Sequence, residues 1–421
     1  MAEQQKRGPT TLDGGKESVY VPSAIKRGAS GYVGLSNRGA TCYMNALLQQ
    51  LYMIPTLRNA LETLETEAPS GPSDESTRGG TLLYNLQKTF LFLSHSKKKA
   101  CSGDDMQSLF TAISAWNRDP AESDINQQQD ADEFFNHLAD RIEDSLKPLA
   151  NEGGKVAAAA SDAAPLPNPR DLDEPHALLR RLFEGTLSNQ LLPSCGHDKD
   201  RKEPYMVLSI DVKEHATIAS GLNAYIRGDM LDGDNKFMCE TCKEKQNTLK
   251  RAVPNVLPPI LILHLKRFDF DFELFRKVKL NTKCEFPHEL DMEPFTVNGL
   301  KRREREKAQR DLRCGASTAP AAEVVSAGIM YDLAGVVVHH GHSDSGHYYS
   351  YIKERAPKKE GSPSRWLLFN DDDVTYAIAS GLAGAWFGGE HKVKRWNSQT
   401  NAPYYETEEK PNNAYLLIYE R

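Results

Sequence analysis

The sequence predicts an α+β fold, with a mainly helical N-terminal part followed by a β-rich part. Two observations support this prediction: apolar residues recur at helical spacing in four segments before residue 150, and β-type runs dominate from Phe183 onward. A chain of 421 residues with 39% hydrophobic content can bury a large core, or about two to three subdomains. We therefore expect two lobes of different secondary structure with a cleft between them.

Four segments carry the apolar spacing of helices: the one that begins at Cys42 and those at residues 81–93, 106–116 and 127–146. Together they predict a helical lobe of about 120 residues. Residues 65–80 are rich in Ser, Gly, Pro and Glu and predict a loop between two of the helices. Residues 1–29 are predominantly polar and predict a disordered N-terminal tail.

Six later segments are typical of β-strands: GTLSNQLL, EPYMVLSIDV, ILILHLKRF, GVVVHH, HYYSYI and YLLIYE. Two stretches interrupt the pattern and predict insertions. One, at about residues 151–171, is of low complexity, and the other lies at about residues 299–324. Residues 30–421 are expected to form the folded domain.

The segment YVGLSNRGATCYMNALLQQ places one cysteine where it could act as a nucleophile. Gly39 marks a break in the backbone, and Cys42 follows it at the start of a predicted helix. Unpaired backbone N–H groups and the positive end of the helix dipole favour a thiolate there. Asn37 precedes the cysteine by five residues and could donate its side-chain N–H to an oxyanion. By itself, the segment leaves open a buried cysteine that only packs in the core.

A cysteine nucleophile needs a base, and the base needs a third group that fixes its tautomer. The run VVVHHGHSDSGHYYSYI offers four histidines. We choose His347, because Gly346 lets the backbone approach closely and a strand begins at the histidine. The run WLLFNDDDV supplies Asn370 and Asp371 directly after an apolar stretch. The amide oxygen of Asn370 can accept from an imidazole N–H as a carboxylate would.

A second constellation combines a C-x-H and a C-x-x-C pattern. The spacing of Cys239 and Cys242 lets two thiolates of one tight turn meet a single tetrahedral ion. Cys195 and His197 lie beside another predicted strand and could complete a Cys₃His zinc site. Four protein ligands leave no open position, so such a zinc ion would be structural. The alternative is that these two turns, which we call the knuckles, fold without metal.

Composition favours an intracellular protein. The chain has seven cysteines, scattered except for one close pair, which favours a reducing compartment over a disulfide framework. No apolar run approaches the ~20 residues that span a bilayer, and the N-terminal residues lack the core of a signal peptide. The net charge of −6 disfavours general affinity for nucleic acid. We expect no nucleic-acid or membrane partner, and a location in the cytoplasm or also in the nucleus.

Five motifs together resemble the ubiquitin-specific proteases. The segment GLSNRGATCYMNALLQQL is similar to their cysteine box, and SGHYYSYI with WLLFNDDDV to their histidine box. Between these, QQQDADEFFNHL resembles the glutamine–aspartate helix and LPPILILHLKRFDFD the central HLKRF strand, and NAYLLIYER fits the last strand. The likeness runs from about Gly31 to Arg421, with the boxes in the family's order. The segments YVGL, LYMIP and WFGGE are most similar to those of the large fat-facets-type members.

The resemblance implies a papain-like architecture. A helical thumb would occupy about residues 30–180, β-ribbon fingers about residues 185–260, and a β-rich palm about residues 260–421. Members of the family place their zinc ribbon between the same boxes, which supports zinc in the fingers.

The resemblance also implies roles for individual residues in a thiol-dependent deubiquitinase. Cys42 becomes the nucleophile, His347 the base, and Asn37 the oxyanion donor. Asn370 becomes the third member of the triad, although many relatives have Asp there, so Asp371 stays open as the orienting group.

The implied substrate is ubiquitin, whose basic C-terminal tail would meet an acidic helix. Asp130 and Glu133, with the neighbouring Gln129, are the candidate contacts, since carboxylates pair well with arginine. A solvated helix face is the structural alternative for these residues. For the whole chain, the alternatives are a protease for a ubiquitin-like modifier, a non-catalytic ubiquitin-binding module, and an acyltransferase that uses the same thiol.

Overall fold

The structure is a computed structural model that describes residues 26–64, 66, 78–114, 128–151, 177–273, 275–313, 328–343, 345–355, 365–397 and 401–421. Most of the predicted tail, of the loop at 65–80 and of the insertion at 151–171 lies outside the described residues. The last residues of the predicted tail contact the helical lobe: Arg27 donates from its guanidinium to the carbonyl oxygens of Leu93 and Ser94 at 2.8 and 2.9 Å. The folded part therefore begins before residue 30.

The helices of the described residues are α1 (Cys42–Tyr52), α2 (Pro55–Glu62), α3 (Arg78–His95), α4 (Gly103–Ser114), α5 (Ala131–Asn151), α6 (Leu178–Phe183), α7 (Ile218–Arg227), α8 (Val297–Arg313) and α9 (Leu382–Trp386). The predicted helices at Cys42 and at residues 81–93, 106–116 and 127–146 are confirmed as α1, α3, α4 and α5. The described part of the second predicted insertion is helical and belongs to α8. None of these helices is both long and apolar enough to cross a membrane.

The strands of the described residues are β1 (Gly34–Leu35), β2 (Ala100–Cys101), β3 (Gly185–Pro193), β4 (Lys199–Tyr205), β5 (Val207–Asp211), β6 (Asp229–Leu231), β7 (Phe237–Met238), β8 (Lys245–Gln246), β9 (Thr248–Val256), β10 (Ile260–Lys266), β11 (Phe268–Asp271), β12 (Arg276–Lys279), β13 (Glu289–Asp291), β14 (Met330–Gly341), β15 (Gly346–Lys353), β16 (Trp366–Asn370), β17 (Asp373–Tyr376), β18 (Glu390–Asn397), β19 (Ala402–Glu409) and β20 (Asn412–Glu420). The predicted strand segments are confirmed, except that two of them are divided between strands: EPYMVLSIDV at Met206 between β4 and β5, and ILILHLKRF at Arg267 between β10 and β11.

One sheet of eight strands organises the β-rich part. Its order is β17-β16-β15-β14-β20-β10-β5, and β13 pairs with β14 beside this path. In β10, Ile260 and Ile262 pack into the core shared with the helical lobe, whereas Leu261 and Leu263 pack into a second core. Successive side chains of a strand point to opposite faces, so the continuous apolar run ILIL reflects a sheet that is covered on both sides.

Helix α1 is buried over its whole length and packs against β15. The hydroxyl of Ser350 donates to the carbonyl oxygen of Ala46 at 2.9 Å, and the side-chain amide of Gln50 donates to that of Tyr351 at 3.2 Å. Apolar and amide side chains around the whole circumference suit a helix that is buried on every side. These contacts fix the start of α1, at Cys42, relative to the start of β15, beside His347.

A second sheet has the order β4-β3-β9-β6, and β7 and β8 form a separate hairpin between β6 and β9 in the chain. The turn after β3 carries Cys195 and His197, and the turn after β7 carries Cys239 and Cys242. The segment predicted as fingers at residues 185–260 is not one continuous unit, because β5 pairs in parallel with β10 of the large sheet.

Candidate active site

Cys42 is the first residue of α1, so the sequence prediction of a cysteine at a helix N-terminus is confirmed. Its side chain is buried, with 3% of its surface exposed. The loop before it is fixed locally, because Thr41 accepts from the backbone N–H of Arg38 at 3.1 Å and donates to the amide oxygen of Asn37 at 3.2 Å. The sulfur thus lies on a rigid turn at the positive end of the helix dipole.

His347 lies between the thiol and an amide. Its Nε2 is 2.6 Å from Oδ1 of Asn370, which leaves Nδ1 as the nitrogen available to the thiol. A hydrogen bond with Cys42 is the main cause that raises the pKa of His347 to about 9, and the hydrogen bond with Asn370 adds to it, while burial opposes both. A raised imidazole pKa means that the protonated form is favoured beside the sulfur.

The other histidines of the same hairpin do not share this environment. His339 is buried within β14, and burial lowers its pKa to about 3, so it is neutral. His342 is exposed in the turn before β15. His340 is opposite His347 in the β14–β15 pairing, and burial also lowers its pKa. The sequence-based choice of His347 agrees with the geometry, because this histidine contacts both Cys42 and an amide.

Asn370 and Asp371 have different partners. Asp371 Oδ2 lies 3.8 Å from Nε2 of His347, beyond hydrogen-bond distance. The same oxygen accepts from the side-chain amide of Asn37 at 3.0 Å, and Oδ1 accepts from that of Asn45 at 2.8 Å. Of the two candidates, Asn370 therefore contacts the base, and Asp371 connects the turn before β17 to the cysteine loop and helix.

The turn that carries Asp371 is held against β1. Asp371 adopts a positive φ of 48°, and its carbonyl oxygen accepts from the backbone N–H of Leu35 at 2.9 Å. A Cβ at Gly34 would lie 2.4 Å from that oxygen, so only glycine allows this approach. A Cβ at Gly346 would similarly lie 2.2 Å from Nε2 of His339, which agrees with the close approach predicted there.

The sequence analysis missed Gln128, which reaches the nucleophile. Its side-chain N–H₂ is 3.8 Å from Sγ of Cys42, and its Oε1 accepts from the backbone N–H of Gly346 at 3.2 Å. Gln128 stands in the run QQQD next to Gln129, which was selected instead. The run QQQD was the signal in the sequence for a glutamine near the nucleophile, but the spacing of residues within it does not indicate which glutamine faces the sulfur.

The candidate contacts for a basic tail lie at the start of α5. Asp130 accepts from the backbone N–H of Asp132 at 2.8 Å with one carboxylate oxygen and from the hydroxyl of Tyr415 with the other. Asp130 is therefore a helix N-cap whose two carboxylate oxygens both have partners within the protein, a structural role different from the solvated helix face that was the alternative for it. Glu133 is exposed on the same helix, and Gln129 is half-buried.

Cys195, His197, Cys239 and Cys242 converge, although two separate turns supply them. Their ligand atoms all lie within 4.8 Å of one another, and Sγ of Cys239 is 3.6 Å from Nδ1 of His197. Ligand bonds of about 2.3 and 2.1 Å at a tetrahedral zinc ion place a sulfur and a nitrogen about 3.6 Å apart. The residues thus fit a metal ion, and the cluster could hold one.

Of the two thiols in the C-x-x-C turn, that of Cys239 has the chemistry of a metal ligand, whereas burial raises the pKa of Cys242. Hydrogen bonds from the backbone of Cys242 and Thr241 lower the pKa of Cys239 to about 6, although burial opposes the shift. A metal binds the thiolate, so a depressed thiol pKa favours binding near neutral pH. Gly196, with a positive φ of 77°, allows the tight turn between Cys195 and His197.

A thiol at a helix N-terminus, an imidazole on a sheet and an amide oxygen behind the imidazole form the Cys-His-Asn arrangement of papain-like thiol hydrolases. Residues 33–419 match the family model described as "Ubiquitin carboxyl-terminal hydrolase". The chain belongs to this family, as the sequence motifs predicted.

Individual relatives agree with this assignment. The chain is 34% identical over 413 residues to "Ubiquitin carboxyl-terminal hydrolase 24" of Homo sapiens, which covers 96% of this chain and 14% of the relative. It is 31% identical over 449 residues to "Ubiquitin carboxyl-terminal hydrolase 9X" of Mus musculus, with 98% and 16% covered. It is 29% identical over 458 residues to "Probable ubiquitin carboxyl-terminal hydrolase FAF" of Drosophila melanogaster, with 98% and 15% covered. The chain thus spans about a sixth of these relatives' length or less.

Proposed function

We propose that this chain is a thiol-dependent deubiquitinase. It would hydrolyse the isopeptide or peptide bond after the C-terminal glycine of ubiquitin, through a thioester on Cys42. The observation that carries the proposal is His347 between Cys42 and Asn370, in a chain that belongs to the ubiquitin carboxyl-terminal hydrolase family.

In the first half of the reaction, His347 takes the proton of Cys42. The thiolate attacks the carbonyl carbon of ubiquitin's last glycine, and the carbonyl oxygen becomes an oxyanion. When the tetrahedral intermediate collapses, the C–N bond breaks and the leaving lysine amine takes the proton from His347. Ubiquitin stays on Cys42 as a thioester.

In the second half, His347 takes a proton from water, and the resulting hydroxide attacks the thioester carbonyl. The C–S bond breaks, the sulfur takes the proton from His347, and ubiquitin leaves as a C-terminal carboxylic acid that releases its own proton to solvent. Asn370 orients the imidazole in both halves, because its amide oxygen accepts from Nε2.

Asn37 is the proposed oxyanion donor. One hydrogen of its N–H₂ group is directed at Asp371, and the amide oxygen accepts from the backbone N–H of Thr41 at 3.3 Å. The second hydrogen stays available to the oxyanion. A donor that is already oriented needs no rearrangement when charge develops, which is the source of its effect on rate.

We further propose that Cys195, His197, Cys239 and Cys242 hold a structural zinc ion in the fingers. The support is a donor set of three thiols and one imidazole whose ligand atoms lie within 4.8 Å of one another, with Cys239 Sγ and His197 Nδ1 at the 3.6 Å that suits a tetrahedral zinc ion. In this interpretation the fingers are the β4-β3-β9-β6 sheet with its knuckles, the thumb is the helical lobe, and the palm is the large sheet.

The tail of ubiquitin would approach along the start of α5. Glu133 offers an exposed carboxylate for an arginine, and Gln129 and Asp130 lie next to it in the chain. Because Asp130 also caps the helix, its replacement would affect both the tail contact and the fold.

Reaction with a ubiquitin that bears a C-terminal electrophile tests the function. Purified wild-type protein is expected to gain the mass of one probe on Cys42, and Cys42→Ala none. Faster labelling by a matched probe built on a ubiquitin-like modifier would favour that modifier as substrate. If neither probe reacts although iodoacetamide still alkylates Cys42, the chain is a non-catalytic module.

A further inference from the structure

The carboxamide of Gln128 bridges the two sides of the candidate active site. Its nitrogen is directed at Sγ of Cys42, on the helical lobe, at 3.8 Å. Its oxygen accepts from the backbone N–H of Gly346, at the start of β15, at 3.2 Å. Gly346 directly precedes His347, so the side chain spans the space between nucleophile and base.

A carboxamide presents the same groups as a peptide unit, namely a carbonyl oxygen that accepts and an N–H that donates. An extended peptide that enters this space could therefore displace Gln128. A carbonyl oxygen within that peptide would take the N–H of Gly346, and the acyl carbon of its last residue would lie against the sulfur, where the Gln128 nitrogen is now. A contact of 3.8 Å between an amide nitrogen and sulfur is weak and can be broken readily.

The backbone that carries Gln128 is anchored while its side chain is half-buried. Two residues further on, Asp130 caps α5 and accepts from the hydroxyl of Tyr415. The side chain can thus rotate away from the sulfur without displacement of the helix.

We propose that Gln128 closes the catalytic cleft of the substrate-free protein. Its carboxamide contacts the Cys42 sulfur and the backbone N–H of Gly346, the two groups that the end of the substrate must meet. The inference rests on the proposed function only in naming ubiquitin's C-terminal chain as that substrate. Gln128 in this role shields Cys42 until an extended peptide displaces it.

The test is the rate at which iodoacetamide alkylates Cys42 in the absence of ubiquitin, followed by mass spectrometry of the Cys42 peptide from pH 5 to 10. Gln128→Ala is expected to raise this rate about two- to ten-fold, the range that one ordinary hydrogen bond accounts for. The increase should be uniform across pH, because access rather than thiol ionisation changes. Gln107→Ala, at an exposed glutamine of α4, is the matched control and should react like the wild type.

An unchanged or slower alkylation in Gln128→Ala would overturn the proposal. A shift in the pH midpoint without a change in the plateau rate would also overturn it, since Gln128 would then tune the thiol rather than cover it. Alkylation of Cys42 needs no ubiquitin, so the effect of Gln128→Ala on its rate is independent of the proposed function. If the wild-type protein fails to process ubiquitin, the deubiquitinase proposal fails, and the alkylation result still decides the role of Gln128.

Discussion

The carboxylate of Asp371 accepts a hydrogen bond from the side-chain amide of Asn37, with 3.0 Å between Oδ2 and Nδ2. This contact joins the turn after β16 to the loop before the nucleophile. Asn370, the preceding residue, contacts His347 instead. Two adjacent side chains thus position two different groups of the proposed active site: Asn370 contacts the base, and Asp371 contacts the oxyanion donor.

The first prediction is that Cys42→Ala lowers turnover of a fluorogenic ubiquitin substrate by at least ~10³-fold, because a nucleophile and its base act as a unit. Binding of ubiquitin should persist, as only the sulfur is removed. Cys101→Ala, at another buried cysteine of the helical lobe, is the control and should retain most of the turnover. Substantial turnover by Cys42→Ala would remove this residue as nucleophile.

The second prediction separates Asn370 from Asp371. Asn370→Ala should lower kcat/KM by about 10²-fold or more, because His347 loses its orienting acceptor. Asp371→Ala should lower it less, because Asp371 does not hydrogen-bond to His347 and acts mainly through Asn37. The reverse ranking would assign the orienting role to Asp371.

The third prediction concerns the link between Asp371 and Asn37. Asn37→Ala alone should lower kcat by about 10²-fold, the loss typical of one oxyanion donor. In the Asp371→Ala background the same substitution should remove much less, because residues of one network are not additive. A double-mutant cycle on kcat measures this coupling, and full additivity would mean that Asp371 does not act through Asn37.

The fourth prediction is a pH dependence set by His347. Its pKa is raised to about 9, mainly by the hydrogen bond with Cys42. Because its pKa is higher in the folded state than in the unfolded one, the protonated imidazole of His347 stabilises the folded state. This contribution is fully present below about pH 6.5 and is lost as the pH rises through about 9. In Cys42→Ala, NMR titration should show His347 losing its proton at lower pH than in the wild type. An unchanged midpoint would contradict the contact between the two residues.

The fifth prediction is that metal removal affects stability and not the thiol. Cys239→Ser should reduce bound zinc and lower the melting temperature, while iodoacetamide still alkylates Cys42 at the wild-type rate. Glu240→Gln changes an exposed residue of the same turn and keeps all four ligands, so it should behave like the wild type. Purified wild-type protein without zinc, together with an unshifted melting temperature for Cys239→Ser, would show that the knuckles fold without metal.

Local sequence patterns determined which elements form and where the main chemistry lies. Helical spacing after Gly39 predicts a helix that begins at Cys42, and alternating and continuous apolar runs predict the strands of the large sheet. His347 could be selected because Gly346 precedes it and a strand follows it. These signals are local: a few neighbouring residues decide backbone conformation and the buried face.

Tertiary structure alone decided which of two adjacent side chains meets a distant group. Asn370 rather than Asp371 contacts His347 because the chain turns at Asp371, with a positive φ of 48°, and directs that carboxylate to Asn37. Gln128 rather than Gln129 reaches Cys42 for a similar reason, since α5 is fixed by its packing and its cap. Such choices depend on the angle between elements that lie tens to hundreds of residues apart in the chain, and the spacing of residues within one segment carries no information about that angle.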